Sequence, residues 1–233
     1  VREVKRQKLA AALWVGWALA LPVVGQIARE ANSQYQTPEG RQQVAANLDA
    51  PDREQRQRPH ELVEAMGVGR GMTVVDVGTG IGYMLPFLSR AVGPAGKVVA
   101  EDIFEDYLAA ARQRALDQKL INVTFIHGTD KDPKLPASSA DRVLVLDVYH
   151  HFDYPEAMLA GISKSLKPDG RLVIVEYYKS DKAMPNGRAL THIRLDKRDV
   201  IKEIEANHFR LLSEREQISD VQYMLVFDRA VRP

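Results

Sequence analysis

Val74-Val75-Asp76-Val77-Gly78-Thr79-Gly80-Ile81-Gly82-Tyr83 is the stretch whose reading decides the fold. Apolar β-formers surround one acid, and glycine then recurs at every second position. The apolar part reads as a buried parallel strand and the glycines as the tight turn leaving its carboxyl end. Without a Cβ, each glycine can take φ > 0 and let backbone come close to a ligand. A helix is expected next, its free N–H groups facing whatever the turn cradles. The unit is therefore a candidate cofactor site.

The spacing narrows the cofactor. A dinucleotide turn reads G-x-G-x-x-G, its third glycine allowing close helix–strand packing beside a pyrophosphate. Here the glycines spell G-x-G-x-G, and Tyr83 occupies the place of that third glycine. Asp76 would repel a pyrophosphate but suits a ligand bearing an ammonium or sulfonium charge. The pattern resembles the first motif of class I S-adenosylmethionine-dependent methyltransferases, D/E-x-G-x-G-x-G, at all four positions. The resemblance implies a cofactor site drawing on Asp76, Gly78, Gly80, Gly82 and Tyr83.

Working outward, Lys97-Val98-Val99-Ala100-Glu101-Asp102-Ile103 reads as the next strand, ending in two acids. An acid about twenty residues past a glycine turn is where ribose hydroxyls are met in nucleotide-binding α/β folds. Asp102 fits that distance; Glu101 fits if the strand ends one residue earlier. In the family that the motif resembles, the residue after this acid packs on adenine, which implies Ile103. An acid or amide after the third strand takes the adenine amino group, which implies Asp130, with Thr129 in the place where many relatives carry the acid.

Further strands are expected at 122–127, 142–147 and 171–176, alternating with helical stripes such as Tyr107, Leu108, Ala111 and Ala115. That alternation implies a mostly parallel sheet covered on both faces. Two late strands, near 209–216 and 222–227, follow each other closely and read as an antiparallel hairpin at the sheet edge. The expected fold is α/β, a Rossmann-like, doubly wound, seven-stranded sheet with one antiparallel edge strand, which is also the fold the resemblance implies. The resemblance covers about Asp52 to Phe227. Asp-Val-Tyr-His-His-Phe (147–152) and Leu-Lys-Pro-Asp-Gly-Arg-Leu (166–172) look like motifs of its small-molecule branch.

In such sheets ligands sit beyond the carboxyl ends of the strands, near the point where strand order reverses. The segment after the fourth strand, Asp147 to Tyr154, should line that crevice, with Asp147 on the cofactor side. Methyl transfer from a sulfonium requires in-line positioning and deprotonation of an oxygen or nitrogen acceptor. Histidine suits that deprotonation near neutral pH, so His150, then His151, are the candidate catalytic bases. The spacing of Asp147, His150, His151 and Asp153 matches no metal-ligand pattern, and no metal is expected. His192, in the long 179–195 connection, could reach the pocket, and that connection is a candidate lid.

Composition agrees with a single globular domain. In 233 residues, 45% are hydrophobic and 27% charged, with no cysteine and a net charge of +1. Absent cysteine removes disulfides, thiolate metal sites and cysteine nucleophiles. A near-neutral chain without long basic runs carries no electrostatic footprint for nucleic acid. The expected partner is a small-molecule acceptor. The N-terminus differs: Arg2, Lys5, Arg6 and Lys8 precede the apolar run 9–21, and Pro22 and Gly25 follow. This reads as a signal peptide with export to the periplasm, or as a marginal membrane anchor, over residues 1–25. A helical extension (26–58) and the catalytic domain (59–233) follow. Two other readings compete: a nicotinamide-dependent oxidoreductase, disfavoured by Asp76 and the missing glycine, and a non-catalytic exported ligand-binding module.

Overall fold

The computed structural model describes residues 24–230; the basic and apolar N-terminal run read as a signal or anchor lies almost wholly outside the described residues. Helices α1 (Val24–Ala31), α2 (Pro38–Leu48), α3 (Arg53–Gln57) and α4 (Pro59–Ala65) precede strand β1 (Thr73–Val77). The chain then alternates through α5 (Leu85–Val92), β2 (Lys97–Asp102), α6 (Glu105–Asp117), β3 (Val123–His127) and β4 (Ala140–Leu146). It continues through α7 (Pro155–Ser165), β5 (Leu166–Tyr177), α8 (Ala189–His192), α9 (Lys197–Ala206), β6 (Phe209–Ile218) and β7 (Gln222–Arg229). Thr37 opens α2 as its cap: the Thr37 hydroxyl accepts the Gly40 N–H at 3.1 Å, and Pro38 takes the first helical position.

One seven-stranded sheet results, in the order β3-β2-β1-β4-β5-β7-β6. β1 to β5 run parallel, with Val75 beside Val99 on one side and Val143 on the other. β7 is the single reversed strand, antiparallel to both β5 and β6. It lies one place in from the edge, which β6 occupies. The edge strand carries exposed Ser213, Glu214, Arg215 and Glu216, charges that discourage pairing with another chain. The Lys167–Gly170 stretch, although its Pro-Asp-Gly sequence is one that turns favour, is taken into β5. Leu166 pairs with Ala140 and Arg171 with Arg142, leaving a bulge between.

Strand alternation divides the core. Val75, Val77, Val143, Val145, Leu172 and Ile174 face a layer holding Leu159 and Ile162 of α7 and Val200 and Ile204 of α9. Val74, Leu144, Leu146, Val173 and Val175 face the other, with Leu62 of α4, Leu85 and Leu88 of α5 and Ala111 of α6. A period of two along each strand, apolar at both phases, is what a sheet buried on both sides requires. At about 25 cal/mol per Å² of apolar surface, each fully buried aliphatic side chain contributes roughly 1.5–3 kcal/mol. Strand order reverses between β1 and β4, which fixes where a ligand can enter. Among the described residues no helix is long and apolar enough to cross a membrane.

Candidate functional site

Beyond β1 the chain enters the left-handed region at all three glycines, with φ of +69° at Gly78, +56° at Gly80 and +80° at Gly82. The turn is tied to the end of β2. The Thr79 N–H donates to the Glu101 carbonyl (2.9 Å), and the Gly80 N–H donates to Asp102 Oδ2 (2.8 Å). The Gly78 N–H points at Glu101 Oε2 (3.4 Å). Two of the glycines are also packing requirements. A Cβ on Gly78 would lie 2.6 Å from Val148 Cγ1, and one on Gly82 would lie 2.8 Å from Leu85 Cδ1 and 3.1 Å from the Ala111 backbone.

A cavity of about 310 Å³ opens at the carboxyl ends of β1, β2 and β4. Of the residues read from sequence, Gly78, Gly80, Asp102, Ile103, Thr129, Asp130, Asp147 and His151 line it. Glu101, the alternative ribose acid, lines it too. Asp76, Gly82, Tyr83 and His150 do not. Asp76 is buried beneath the turn, where its Oδ2 accepts the Thr79 hydroxyl at 2.8 Å. Gly82 packs the turn on α6, and Tyr83 lies under the Arg53 guanidinium, 3.9 Å from its ring centre. A larger depression of about 580 Å³ lies elsewhere, between α2 and α6 near Ala45, Ile81 and Arg114; the buried carboxylates are not part of it.

The roof of the cavity comes from residues that no motif singled out. Asn32, Tyr35, Gln36, Leu48 and Arg53, all from the N-terminal helical segment, close over it. Tyr35 stacks on Phe104, ring centres 5.8 Å apart, and Tyr107 donates its hydroxyl to the Arg41 carbonyl at 2.9 Å. A second tether runs from Gln57 Nε2 to Gln222 Oε1 (3.0 Å) and from Gln222 Nε2 to Asp147 Oδ1 (2.7 Å). Asp147 itself stands at φ +56°, a strained position for a non-glycine residue of the kind that gathers at functional sites.

Electrostatics set the character of the site. Burial, resisted by the Thr79 hydrogen bond, pushes the Asp76 carboxyl up to about 7. Burial raises Asp102 to about 6 against the backbone N–H groups of Phe104 and Gly80. Burial and then Asp102 lift Glu101 well above the carboxylate range, and burial and then Glu176 do the same to Asp147. The cation facing this acid wall is Arg53, whose own pKa burial lowers. Such a wall is a poor host for phosphates and a fitting one for a ligand with fixed positive charge.

At the far end of the cavity, a 3-10 turn (Tyr149–His151) follows β4. His151 reaches the cavity; its Nδ1 lies 2.7 Å from Asn32 Oδ1. His150, the first-ranked base in the sequence reading, sits behind it, 3% exposed, with Nδ1 2.7 Å from Glu176 Oε2. A turn of the backbone between two adjacent residues decides which imidazole faces the ligand, and sequence does not show that. His192 of α8 joins both, its ring centre 4.9 Å from that of His150 and 5.4 Å from that of His151.

A family model described as a methyltransferase domain matches residues 69–228. Relatives include ubiquinone/menaquinone biosynthesis C-methyltransferases of Pseudomonas putida, 32% identical over 118 residues, and of Azotobacter vinelandii, 31% identical over 123. These matches cover 50% and 52% of this chain and 46% and 49% of the relatives, so the chain spans about half the length of the curated relatives it matches. A SAM-dependent methyltransferase from Aquifex aeolicus, solved as a crystal structure, is 26% identical with a TM-score of 0.73, covering 79% of this chain and 96% of that one. The [4+2]-cyclase SpnF shares the fold at a TM-score of 0.64 and 16% identity, over 76% of this chain and 81% of that one. The chain belongs to the methyltransferase domain family.

Proposed function

We infer that this member of the family transfers a methyl group from S-adenosylmethionine to a small-molecule acceptor. The observation that carries the reading is the acid-walled cavity at the β1–β4 switch point, glycine turn on one side and His151 on the other. The residues fit the cofactor. Asp102 and Glu101 would meet the ribose hydroxyls, and Glu101 Oε1 is buried with no hydrogen-bond partner among the described residues. Ile103 and the Thr129–Asp130 loop would hold adenine, and Asp147 with the Gly78 and Gly80 backbone would hold the ammonium end. Arg53 would pair with the carboxylate. When bound, the cofactor supplies an electrophilic methyl on a positively charged sulfur, whose leaving group is a neutral thioether.

The chain's own work is positioning, exclusion of water and handling of the acceptor proton. Tyr35, Leu48 and Phe104 shield the cavity, and Phe152 and Met158 give its floor an apolar surface. His151 is held neutral, its pKa driven well down by burial and by His150. Asn32 occupies its Nδ1, so Nε2 is the atom that would receive an acceptor proton. An apolar acceptor with one ionisable hydroxyl, amine or carbon acid suits this lining. The named relatives are C-methyltransferases of quinone biosynthesis, which is in keeping with an aromatic or conjugated acceptor.

The test is turnover with a labelled methyl donor against metabolite pools, alongside calorimetry. S-adenosylmethionine should bind at least about a hundredfold more tightly than NAD, and His151→Ala should lower kcat about 10²–10⁴-fold with cofactor affinity little changed. Tight NAD binding would return the oxidoreductase reading. Cofactor binding without transfer to any acceptor would return the ligand-binding module.

A further inference from the structure

Two of the three clustered histidines have their protons placed by neighbours. Glu176 Oε2 accepts at 2.7 Å from His150 Nδ1 and also takes the His150 backbone N–H at 3.1 Å. A carboxylate only accepts, so His150 carries its proton on Nδ1 and presents Nε2 as a lone pair. That Nε2 is buried without a hydrogen-bond partner among the described residues. His151 repeats the arrangement. The Asn32 amide donates through Nδ2 to the His151 carbonyl at 2.9 Å and to Asp153 Oδ2 at 3.3 Å, which fixes Oδ1 as the end facing His151 Nδ1. His151 therefore also holds its proton on Nδ1 and leaves Nε2 free.

The three side chains converge. The His150 and His151 ring centres are 4.0 Å apart, and one ring nitrogen from each of His150, His151 and His192 lies within 4.8 Å of the others. Lone pairs gathered at one point cannot satisfy one another. We propose that His150, His151 and His192 bind one divalent transition-metal ion through their free ring nitrogens, oriented by Glu176 and Asn32.

The donor set selects the ion. Three neutral imidazoles suit zinc and its first-row neighbours, not magnesium or calcium, which take oxygen ligands. Bonds of about 2.0–2.1 Å would draw the rings closer together than they stand. A carboxylate accepting from a ligand histidine, as Glu176 does, is the usual outer partner of such sites. Arg188, whose carbonyl accepts the His192 backbone N–H at 3.0 Å, opposes the charge of the ion, and Glu176 offsets it. Three protein ligands leave a fourth position open beside the cavity wall. With the ion in place His151 Nε2 would be a ligand and no longer the base given for the metal-free site, and an acceptor hydroxyl or thiol displacing metal-bound water there would lose its proton to solvent and stay bound as the anion. This last consequence rests on the methyl-transfer reading; metal uptake does not.

The experiment uses the untagged full chain, stripped with chelator and dialysed against zinc(II) or cobalt(II). One equivalent should bind per chain, and the cobalt form should show the visible bands of a four-coordinate site. His192→Ala, or His192→Asn should the first fail to fold, should abolish stoichiometric uptake. Glu176→Gln should weaken it about 10–100-fold. S-adenosylmethionine binding, measured on the same samples, shows that each protein is folded and lets the two readings fail separately. Wild-type protein that takes up no metal, or equal uptake by wild type and a His192 variant, would overturn the proposal.

Discussion

The three glycines of the turn do different work, and substitution separates them. Gly82 at φ +80° meets Leu85 and Ala111 at or within 3.1 Å of any added Cβ, so Gly82→Ala combines left-handed strain with overpacking. A loss of about 2–4 kcal/mol is expected. Gly80 at φ +56° meets only Leu48 Cδ1 at 3.4 Å; Gly80→Ala should cost about 1–2 kcal/mol and act mainly on ligand binding in the cavity it lines. Urea unfolding with calorimetry checks both, and equal stability losses would contradict the division. Asp102 has two roles as well. It accepts the Gly80 N–H at 2.8 Å and the Phe104 N–H at 2.9 Å, so Asp102→Ala leaves two backbone donors to find water. S-adenosylmethionine binding should weaken by about 1.5–3 kcal/mol, and the unfolding midpoint should fall too. Wild-type affinity in Asp102→Ala would remove this acid from the ribose site.

Between elements, the tether from α3 through β7 to the end of β4 holds the roof to the sheet. Gln222 is 2% exposed and bridges Gln57 to Asp147. Gln222→Ala leaves the buried Gln57 amide and the half-buried Asp147 carboxylate without this partner, which should cost about 1–3 kcal/mol. Amide exchange should rise first in α3, and unchanged exchange there would mean that the roof is held by its apolar contacts alone. The strands were legible in sequence because Val-Val-Asp-Val and its counterparts are largely apolar at both phases of a two-residue period, whereas the place of the reversed strand, one in from the edge, was not. The floor of the cavity was legible because glycines and acids sit at fixed offsets from strand ends. The roof was not. Asn32, Tyr35 and Arg53 lie in polar helices with no motif, and Asn32 meets a residue 119 positions away. The convergence of His192 on His150 and His151 was hidden in the same way, in an irregular connection whose path depends on tertiary packing. Even inside the motif, Asp76 was read as a ligand contact, whereas it braces the turn through Thr79.

At the scale of the whole molecule, the buried acids couple charge, stability and ligand. Export with cleavage near Gly25, proposed from the basic and apolar run, would leave Ala28, Ala31 and Asn32 in place, so sequencing the mature N-terminus tests location without touching the site. The acids make the sharper demand. Asp76 and Asp102 titrate near 7 and 6 in the folded chain, above the roughly 3.9 of an unfolded aspartate. The folded state therefore keeps protons that the unfolded state has released. Their contribution to stability is full below about pH 4 and is lost as pH rises through 6 and 7. A ligand with fixed positive charge reverses the preference, because it stabilises the ionised carboxylates and expels their protons. S-adenosylmethionine should thus bind more tightly as pH rises from about 6 to 8, approaching tenfold per unit for each proton released. Its stabilisation of the fold, RT ln(1 + [L]/Kd), should grow over the range in which the free protein weakens. Calorimetry in buffers of different ionisation enthalpy counts the protons directly. A dissociation constant flat from pH 6 to 8, with no proton released, would mean that the acid wall is ionised before the ligand arrives and that burial does not set its charge.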